Sequence, residues 1–188
     1  MKIIFLISSL LSLIATASGQ HHEDLKPDTA INNININDPE STERVLGKNS
    51  WSKQFEQAGS LPRIEAVNKT GTQILRLFFH YGGSKNSVDE FELMSVDSAY
   101  KIPKQAIHLK DEQFITSSKI SLGISKGDLV KKLGNSYKSS VNGKVEQLVY
   151  TVDGRSNFLR RYNQHTYYIR CVFKDDILIK YAFGFKSL

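Results

Sequence analysis

The strongest constraint on the fold is that one order of elements occurs twice in the chain: a short helix that ends at a glycine, followed by three strand-like segments. The first helix is predicted to begin after Asp38, which can cap it, and to end at Gly47. The second is predicted to begin after Ser125 and to end at Gly134, 87 positions beyond Gly47. This repetition indicates a tandem duplication in which helices cover a sheet.

The strand-like segments alternate apolar and polar residues and are separated by turn-forming residues such as Lys174-Asp175-Asp176. They span residues 63–69, 73–81, 88–96, 145–152, 166–173 and 177–185. One side of the last segment carries an apolar row of Ile177, Ile179, Tyr181, Phe183 and Phe185. We therefore predict an α+β fold of two tandem helix plus three-strand antiparallel units. If the helices lie on one face of the shared sheet, the other face is open.

The first nineteen residues have the pattern of a cleavable secretory signal peptide. Lys2 is followed by an apolar run over residues 3–14 and by small residues up to Gly19. Ala17 and Gly19 both suit the last residue of such a peptide. We therefore predict that the mature protein is secreted or periplasmic.

Behind the signal peptide (residues 1–19) we predict three parts. Residues 20–37 are polar and contain Pro27, a composition typical of a flexible tether. The first α+β repeat is predicted over residues 38–117 and the second over residues 118–188. No stretch after the signal peptide is long and apolar enough to predict a membrane-embedded segment.

The chain has one cysteine, Cys171. It cannot form an internal disulfide, and a lipid anchor would need a cysteine directly behind the signal peptide. Its place on the apolar side of a predicted strand indicates a buried small hydrophobe.

The formal net charge of +6 becomes +5 without Lys2, and the charges are interspersed. This pattern does not indicate a nucleic-acid partner.

The sequence holds no motif that carries a reaction. No serine lies in a Gly-x-Ser-x-Gly pattern, and no glycine-rich loop suits a phosphate. His80, His108 and His165 lack ligand spacing, and only a mature start at Gln20-His21-His22 would place a histidine third from a free amine, an arrangement that suits copper or nickel. We therefore predict no catalytic residue, no cofactor and no metal site, and a protein that is not an enzyme.

Aromatic and basic residues are concentrated in the second half of the chain, and tyrosine and arginine are the residue types that anchor protein interfaces. The predicted partner-binding residues are Tyr150, Arg160, Arg161, Tyr162, Tyr168, Arg170 and Lys180. The loop over residues 153–164 has two interpretations. It contacts the partner, or Phe158 and Leu159 pack under the sheet while the arginines only solvate the loop.

These features favour an exported, non-catalytic binding module that contacts a protein through the open aromatic and basic sheet face. One alternative is a binder of carbohydrate or another cell-envelope ligand, with tyrosines as stacking platforms. A less favoured alternative is a small envelope hydrolase. The first predicts a broad shallow surface, the second a narrow groove, and the third a deep pocket with titratable groups.

The second half also resembles a known family. Residues 122–134, Leu-Gly-Ile-Ser-Lys-Gly-Asp-Leu-Val-Lys-Lys-Leu-Gly, and the hairpin over 168–176 resemble the SmpA/OmlA fold of small outer-membrane lipoproteins. Two such units in one exported chain are similar to the beta-lactamase inhibitor protein fold. The resemblance implies one curved sheet with helices on its convex side and binding at its concave side. The chain lacks the lipid-anchor cysteine and the paired cysteines of these proteins, so inhibition of a beta-lactamase is not carried over.

Overall fold

The computed structural model describes residues 25–81, 85–154 and 156–186, so the predicted signal peptide lies outside the described residues. Ten strands and three short helices form within these ranges. The strands are β1 (Ala30–Ile31), β2 (Ile34–Asn35), β3 (Arg63–Val67), β4 (Gln73–Phe78), β5 (Glu90–Ser95), β6 (Ile107–His108), β7 (Lys138–Asn142), β8 (Val145–Asp153), β9 (Thr166–Lys174) and β10 (Ile177–Phe185). The helices are α1 (Pro39–Leu46), α2 (Lys126–Leu133) and α3 (Asn157–Arg161).

Eight of the strands form one mixed sheet in the order β6-β3-β4-β5-β10-β9-β8-β7. Every neighbouring pair is antiparallel except β3 and β6, which are parallel. The pairing of β5 with β10 joins the strands of the first half of the chain to those of the second half. β1 and β2 form a separate hairpin.

The predicted α+β class with two tandem helix plus three-strand units is wrong. The described chain is mostly β, and none of its three helices exceeds eight residues. Two segments predicted as irregular form strands instead. Residues 138–142 become β7 because Gly143, at φ +60°, allows a tight turn back into β8. Part of the predicted tether becomes the β1–β2 hairpin.

The two helix starts that the sequence predicts are confirmed. The Asp38 carboxylate accepts a hydrogen bond from the Ser41 N–H and caps α1, and the Ser125 hydroxyl accepts one from the Asp128 N–H and caps α2. The apolar residues of α2, Leu129 and Leu133, belong to the core that covers one face of the sheet. No helix in the described ranges combines the length and apolarity needed to cross a bilayer.

Residues 25–37, the described part of the tether predicted over residues 20–37, pack against the sheet, while residues 20–24 lie outside the described residues. Ile31 and Ile34 are fully buried, and Ile36 is 3% exposed. The Ile36 N–H donates to the Thr29 carbonyl, which closes the hairpin. The three isoleucines pack against apolar residues of the sheet, so the segment contributes to the hydrophobic core.

Asp28 fixes this N-terminal segment to the interior of the apolar layer. Its Oδ2 accepts a hydrogen bond from the Tyr181 hydroxyl at 2.6 Å, and its backbone carbonyl accepts one from Tyr167 at 2.8 Å. Its Oδ1 accepts from the Ser117 hydroxyl at 2.8 Å and from the Ser118 N–H at 2.7 Å. Because both carboxylate oxygens have donors, a fully buried acid is tolerated here.

The start of β10 departs from the predicted alternation. The register against β9 shifts between Leu178 and Lys180, so Leu178 is fully buried while Ile177 is 44% exposed. A bulge inserts one extra residue and reverses the side to which the neighbouring side chains point. Leu178 therefore enters the core in place of Ile177.

Replacement of Asp28 by alanine tests whether the N-terminal segment belongs to the cooperative core. Asp28→Ala leaves the buried Tyr181 hydroxyl without its acceptor, and we expect the free energy of unfolding to fall by about 3 kcal/mol. Urea unfolding followed by circular dichroism measures it. The exposed Glu56→Ala variant is the control and is expected to be unchanged within about 0.5 kcal/mol. A loss below about 1 kcal/mol for Asp28→Ala contradicts this role.

Candidate functional site

The face of the sheet opposite the apolar layer carries charged residues at matching positions of neighbouring strands, and we call it the charged face. In the strand register Glu65 of β3 lies opposite Arg76 of β4, and Arg76 lies opposite Glu92 of β5. Side chains opposite each other on one face of a sheet are close enough to interact. The charged face therefore holds a row of alternating signs across the central strands.

Arg76 is the centre of this row. Its Nε donates to Glu65 Oε1 at 2.9 Å, its Nη1 to Glu92 Oε1 at 2.8 Å, and its Nη2 to the Tyr100 hydroxyl at 3.1 Å. The other oxygen of Glu92 pairs with Lys180 Nζ at 2.8 Å. Burial lowers the pKa of Arg76, but its bonds to Tyr100 and the two carboxylates raise that pKa overall. The row is thus a continuous ion-pair network from β3 to β10.

Part of the charged face is covered. Tyr100, which follows β5, donates a hydrogen bond to Glu65 and lies with its ring 5.5 Å from the Arg76 guanidinium carbon. Arg63 also pairs with Glu65, at 3.2 Å, and lies over the Phe55 ring. Glu65 is consequently 1% exposed. The β3–β4 half of the charged face is therefore closed, and the β5–β10–β9 half is the more accessible part.

Small residues of β10 form the floor of the accessible half. Gly184 lies between Glu90 of β5 and Tyr168 of β9 in the register, and Ala182 lies between Glu92 and Arg170. The Tyr168 hydroxyl lies near the Glu90 carboxylate across the glycine. An acidic wall on β5 and a tyrosine–arginine wall on β9 thus flank a narrow floor.

Only glycine fits at position 184. A Cβ there would lie 2.4 Å from the Asp89 carbonyl oxygen and 2.5 Å from the Glu90 Cα, with the backbone at φ +154°. Both atoms belong to the backbone of the neighbouring chain segment, so a side chain would separate β5 from β10. The close approach of these two strands is what brings Glu90 within reach of Tyr168.

We call Glu90, Tyr168, Arg170 and Lys180 the Tyr168 patch. The Arg170 guanidinium carbon lies 5.1 Å from the centre of the Tyr168 ring, a cation–π arrangement. Among the described residues, no carboxylate lies within 4.0 Å of an Arg170 nitrogen. Arg170 is half-buried, and within the described residues it is a cation without a direct ion pair.

Burial raises the pKa values of two groups in the Tyr168 patch, Glu90 and Tyr168. It raises the pKa of the Glu90 carboxyl, while the hydrogen bond from Tyr168 and the positive charge of Arg170 lower that pKa less strongly. Burial and the neighbouring Glu90 carboxylate likewise raise the pKa of the Tyr168 hydroxyl. Tyr168 is therefore a hydrogen-bond donor at neutral pH and not a phenolate.

The structure brings together three of the seven residues predicted from the sequence, namely Tyr168, Arg170 and Lys180. Tyr150 is elsewhere, because it is fully buried in the apolar layer and donates its hydroxyl hydrogen to the Gly134 carbonyl at 3.0 Å. A side chain in the core cannot contact a partner. The assignment of Tyr150 to a binding surface is therefore corrected.

The other three predicted residues belong to the short helix α3 and its end. Leu159 of this helix is fully buried in the core, and Phe158 packs edge-on against Tyr167, which also faces the apolar layer. Tyr162 packs against Phe158. Helix α3 thus lies on the apolar side of the sheet, away from the Tyr168 patch.

The two arginines of α3 are exposed and make local contacts. Arg160 donates to the Asn157 side chain three residues earlier, and the Arg161 guanidinium carbon lies 5.7 Å from the Tyr162 ring centre. This geometry corresponds to the second interpretation of the 153–164 loop, in which apolar residues pack inward and the arginines solvate the helix.

The acidic residues of the charged face were not predicted from the sequence. Glu65, Glu90 and Glu92 lie on the same face as the predicted cations, and each alternates with apolar residues such as Phe91. The sequence does show the alternation of acidic and apolar residues that begins at residue 90. Which cation meets which acid depends on the pairing of β5 with β10, and a single strand does not contain that information.

Other titratable groups form no reactive site in the described part of the chain. Cys171 is buried, and burial raises the pKa of its thiol, as expected of the buried hydrophobe that the sequence predicts. Asp89 accepts a hydrogen bond from the His80 N–H at 2.9 Å, and burial raises the pKa of the Asp89 carboxyl. No group of three or more His, Cys, Asp or Glu side chains in the described ranges has the arrangement of a metal site.

Comparison of the chain with protein-family models, with curated proteins and with solved structures gave no significant match in any of the three. The resemblance to the SmpA/OmlA fold accordingly stays a prediction.

Replacement of Arg76 tests whether the ion-pair network stabilises the fold. Arg76→Met leaves Glu65 and Glu92 each with one donor fewer, and we expect the free energy of unfolding to fall by about 3 kcal/mol. Chemical denaturation measures it at low and high salt, and the loss should persist at high salt because the pairs are shielded from solvent. The exposed Arg44→Met variant is the control. A loss that disappears at high salt would show that the pairs act as exposed surface ion pairs.

The raised pKa of Glu90 predicts a pH dependence. A carboxyl that holds its proton more tightly in the folded state lowers stability as the pH rises above the pKa of the unfolded chain. We expect Glu90→Gln to remove this loss, so the variant gains stability relative to the wild type between about pH 4 and about pH 7. Thermal melts across this range measure the difference. A constant or shrinking difference between the two proteins contradicts the raised pKa.

Proposed function

We propose that the chain is an exported, non-catalytic binding module that contacts a protein partner through the Tyr168 patch. The observation that carries the proposal is a charged and aromatic surface on the central strands of the sheet, in which Arg170 has no direct ion pair within the described residues. Arginine and tyrosine in a rigid setting are typical of interface anchors.

The rigidity of the patch supports this function. Lys180 is held by Glu92, which is held in turn by Arg76, and all three lie on strands of one sheet. Side chains that are fixed before binding lose less conformational entropy when a partner arrives. A surface of this kind binds by complementarity and needs no rearrangement.

The charge distribution indicates the chemistry of the partner. The oxygens of Glu65 and Glu92 already accept hydrogen bonds within the network, so they offer little to a ligand. Arg170 and the exposed part of Lys180 are positive and directed at the accessible half of the charged face. The partner is expected to present a carboxylate to Arg170.

A sugar-stacking function is less well supported. The Tyr168 ring has the Arg170 guanidinium over it, and the Tyr100 ring has Arg76 over it. Stacking of a sugar needs a free aromatic face, and in each case one face is already in use. The geometry therefore favours a protein over a carbohydrate as the ligand.

Capture of the partner tests the proposal. Purified mature protein is immobilised and exposed to native envelope extract and culture medium, the retained protein is identified by mass spectrometry, and its affinity is then measured with purified components. We expect Arg170→Ala to weaken binding at least tenfold, roughly the loss caused by removal of a strong interface anchor. We also expect binding to weaken with rising salt.

The matched control is Arg44→Ala, which removes an exposed arginine from α1. It should bind as the wild type does, and both variants should melt near the wild-type temperature. Equal affinity of Arg170→Ala and the wild type contradicts the proposed surface, as does retention of polysaccharide without any protein.

A further inference from the structure

Strand β7 is an edge of the large sheet, and no described residue pairs with its outer side. All five of its residues are exposed, and the strand pairs with β8 alone. In the described part of the chain, none of its residues makes a hydrogen bond outside that pairing. Alternate residues of an edge strand point their N–H and C=O groups away from the neighbour, so β7 offers free donors and acceptors.

The opposite edge of the sheet is built differently. β6 has two residues and pairs in parallel with β3, and the chain beyond it stays bound because the Leu109 N–H donates to the Val67 carbonyl. An edge strand of two residues is too short for another strand to pair along it. β7 has five residues in unbroken register with β8 and contains no proline or bulge, so Lys138 at its first position is the one edge-protecting feature within the strand.

We propose that β7 pairs antiparallel with β7 of a second copy of this chain, so that two eight-stranded sheets join into one. The strand reads Lys-Ser-Ser-Val-Asn, and a two-fold axis at Ser140 places Lys138 opposite the partner's Asn142. Ser139 then lies opposite the partner's Val141. A parallel, in-register pairing is disfavoured because it would oppose Lys138 to the partner's Lys138.

The side chains of β7 fit this arrangement. Ser139 and Ser140 are small, so the two backbones can approach to hydrogen-bonding distance. Val141 is 69% exposed, and it would pack beside the partner's Ser139. The two copies of Lys138 would lie four residues apart along the strand, about 14 Å, which exceeds the screening length of roughly 8 Å at physiological ionic strength.

The contact is short, so the dimer is expected to be weak and to depend on concentration. Sedimentation velocity from about 10 µM to about 1 mM covers the range of such interfaces. The wild type is expected to shift from monomer toward dimer over this range. Val141→Lys adds a charge to the edge of each copy and should remain monomeric. Ile177→Lys, the same change at an exposed site of β10, should dimerise like the wild type.

A cysteine scan tests the register. Under mild oxidation Ser140→Cys is expected to form a disulfide-linked dimer, because the two cysteines would face each other at the two-fold axis. Ser139→Cys should cross-link at least several-fold less, since it faces valine, and the buried Cys171 should not interfere. A wild type that stays monomeric throughout, or equal cross-linking by the two variants, overturns the proposal.

Discussion

Two carboxylates, one on each side of the sheet, hold together segments that are distant in sequence, and the arrangement of the chain depends on them. Glu92 accepts from Arg76 of β4 and pairs with Lys180 of β10, so it connects the two halves of the chain on the charged face. Asp28 accepts from Tyr181, also on β10, and ties the N-terminal segment to the apolar layer. A buried acid without such partners would cost several kcal/mol, so each pairing selects one arrangement strongly.

Strand β10 takes part both in the ion pairs of Glu92 and in the hydrogen bonds of Asp28. Its apolar side carries the tyrosine bound by Asp28, its charged side carries Lys180, and Gly184 lets β5 approach closely enough for Glu90 to meet Tyr168. The proposed binding surface is therefore a consequence of the same strand contacts that close the sheet. A partner would meet side chains whose positions are set by the core and not by mobile loops.

Local patterns in the sequence predicted individual elements well and their assembly poorly. The Asp38 and Ser125 caps and the alternation in residues 166–173 act within a few residues, and the structure contains those elements. β7 has no apolar alternation because it lies at an exposed edge, so no pattern revealed it. The isoleucines at 31, 34 and 36 are three and two residues apart and so share no single helical or strand period, and they are buried because distant strands create the surface that they cover. Likewise the tyrosine at 150 and the one at 168 look alike in sequence, and the face each occupies follows from the strand register.

Lysine reactivity in the complex shows which side of the sheet the partner occupies. Lys180 is half-buried within the Tyr168 patch, while Lys131 is exposed on α2 at the other side of the sheet. After capture of the partner, acylation of each lysine is measured by mass spectrometry in the free chain and in the complex. If the partner binds at the Tyr168 patch, Lys180 becomes several-fold less reactive in the complex and Lys131 is unchanged. Equal reactivity of Lys180 in both states, with protection at Lys131, would place the partner on the helical side and rule out binding at the Tyr168 patch.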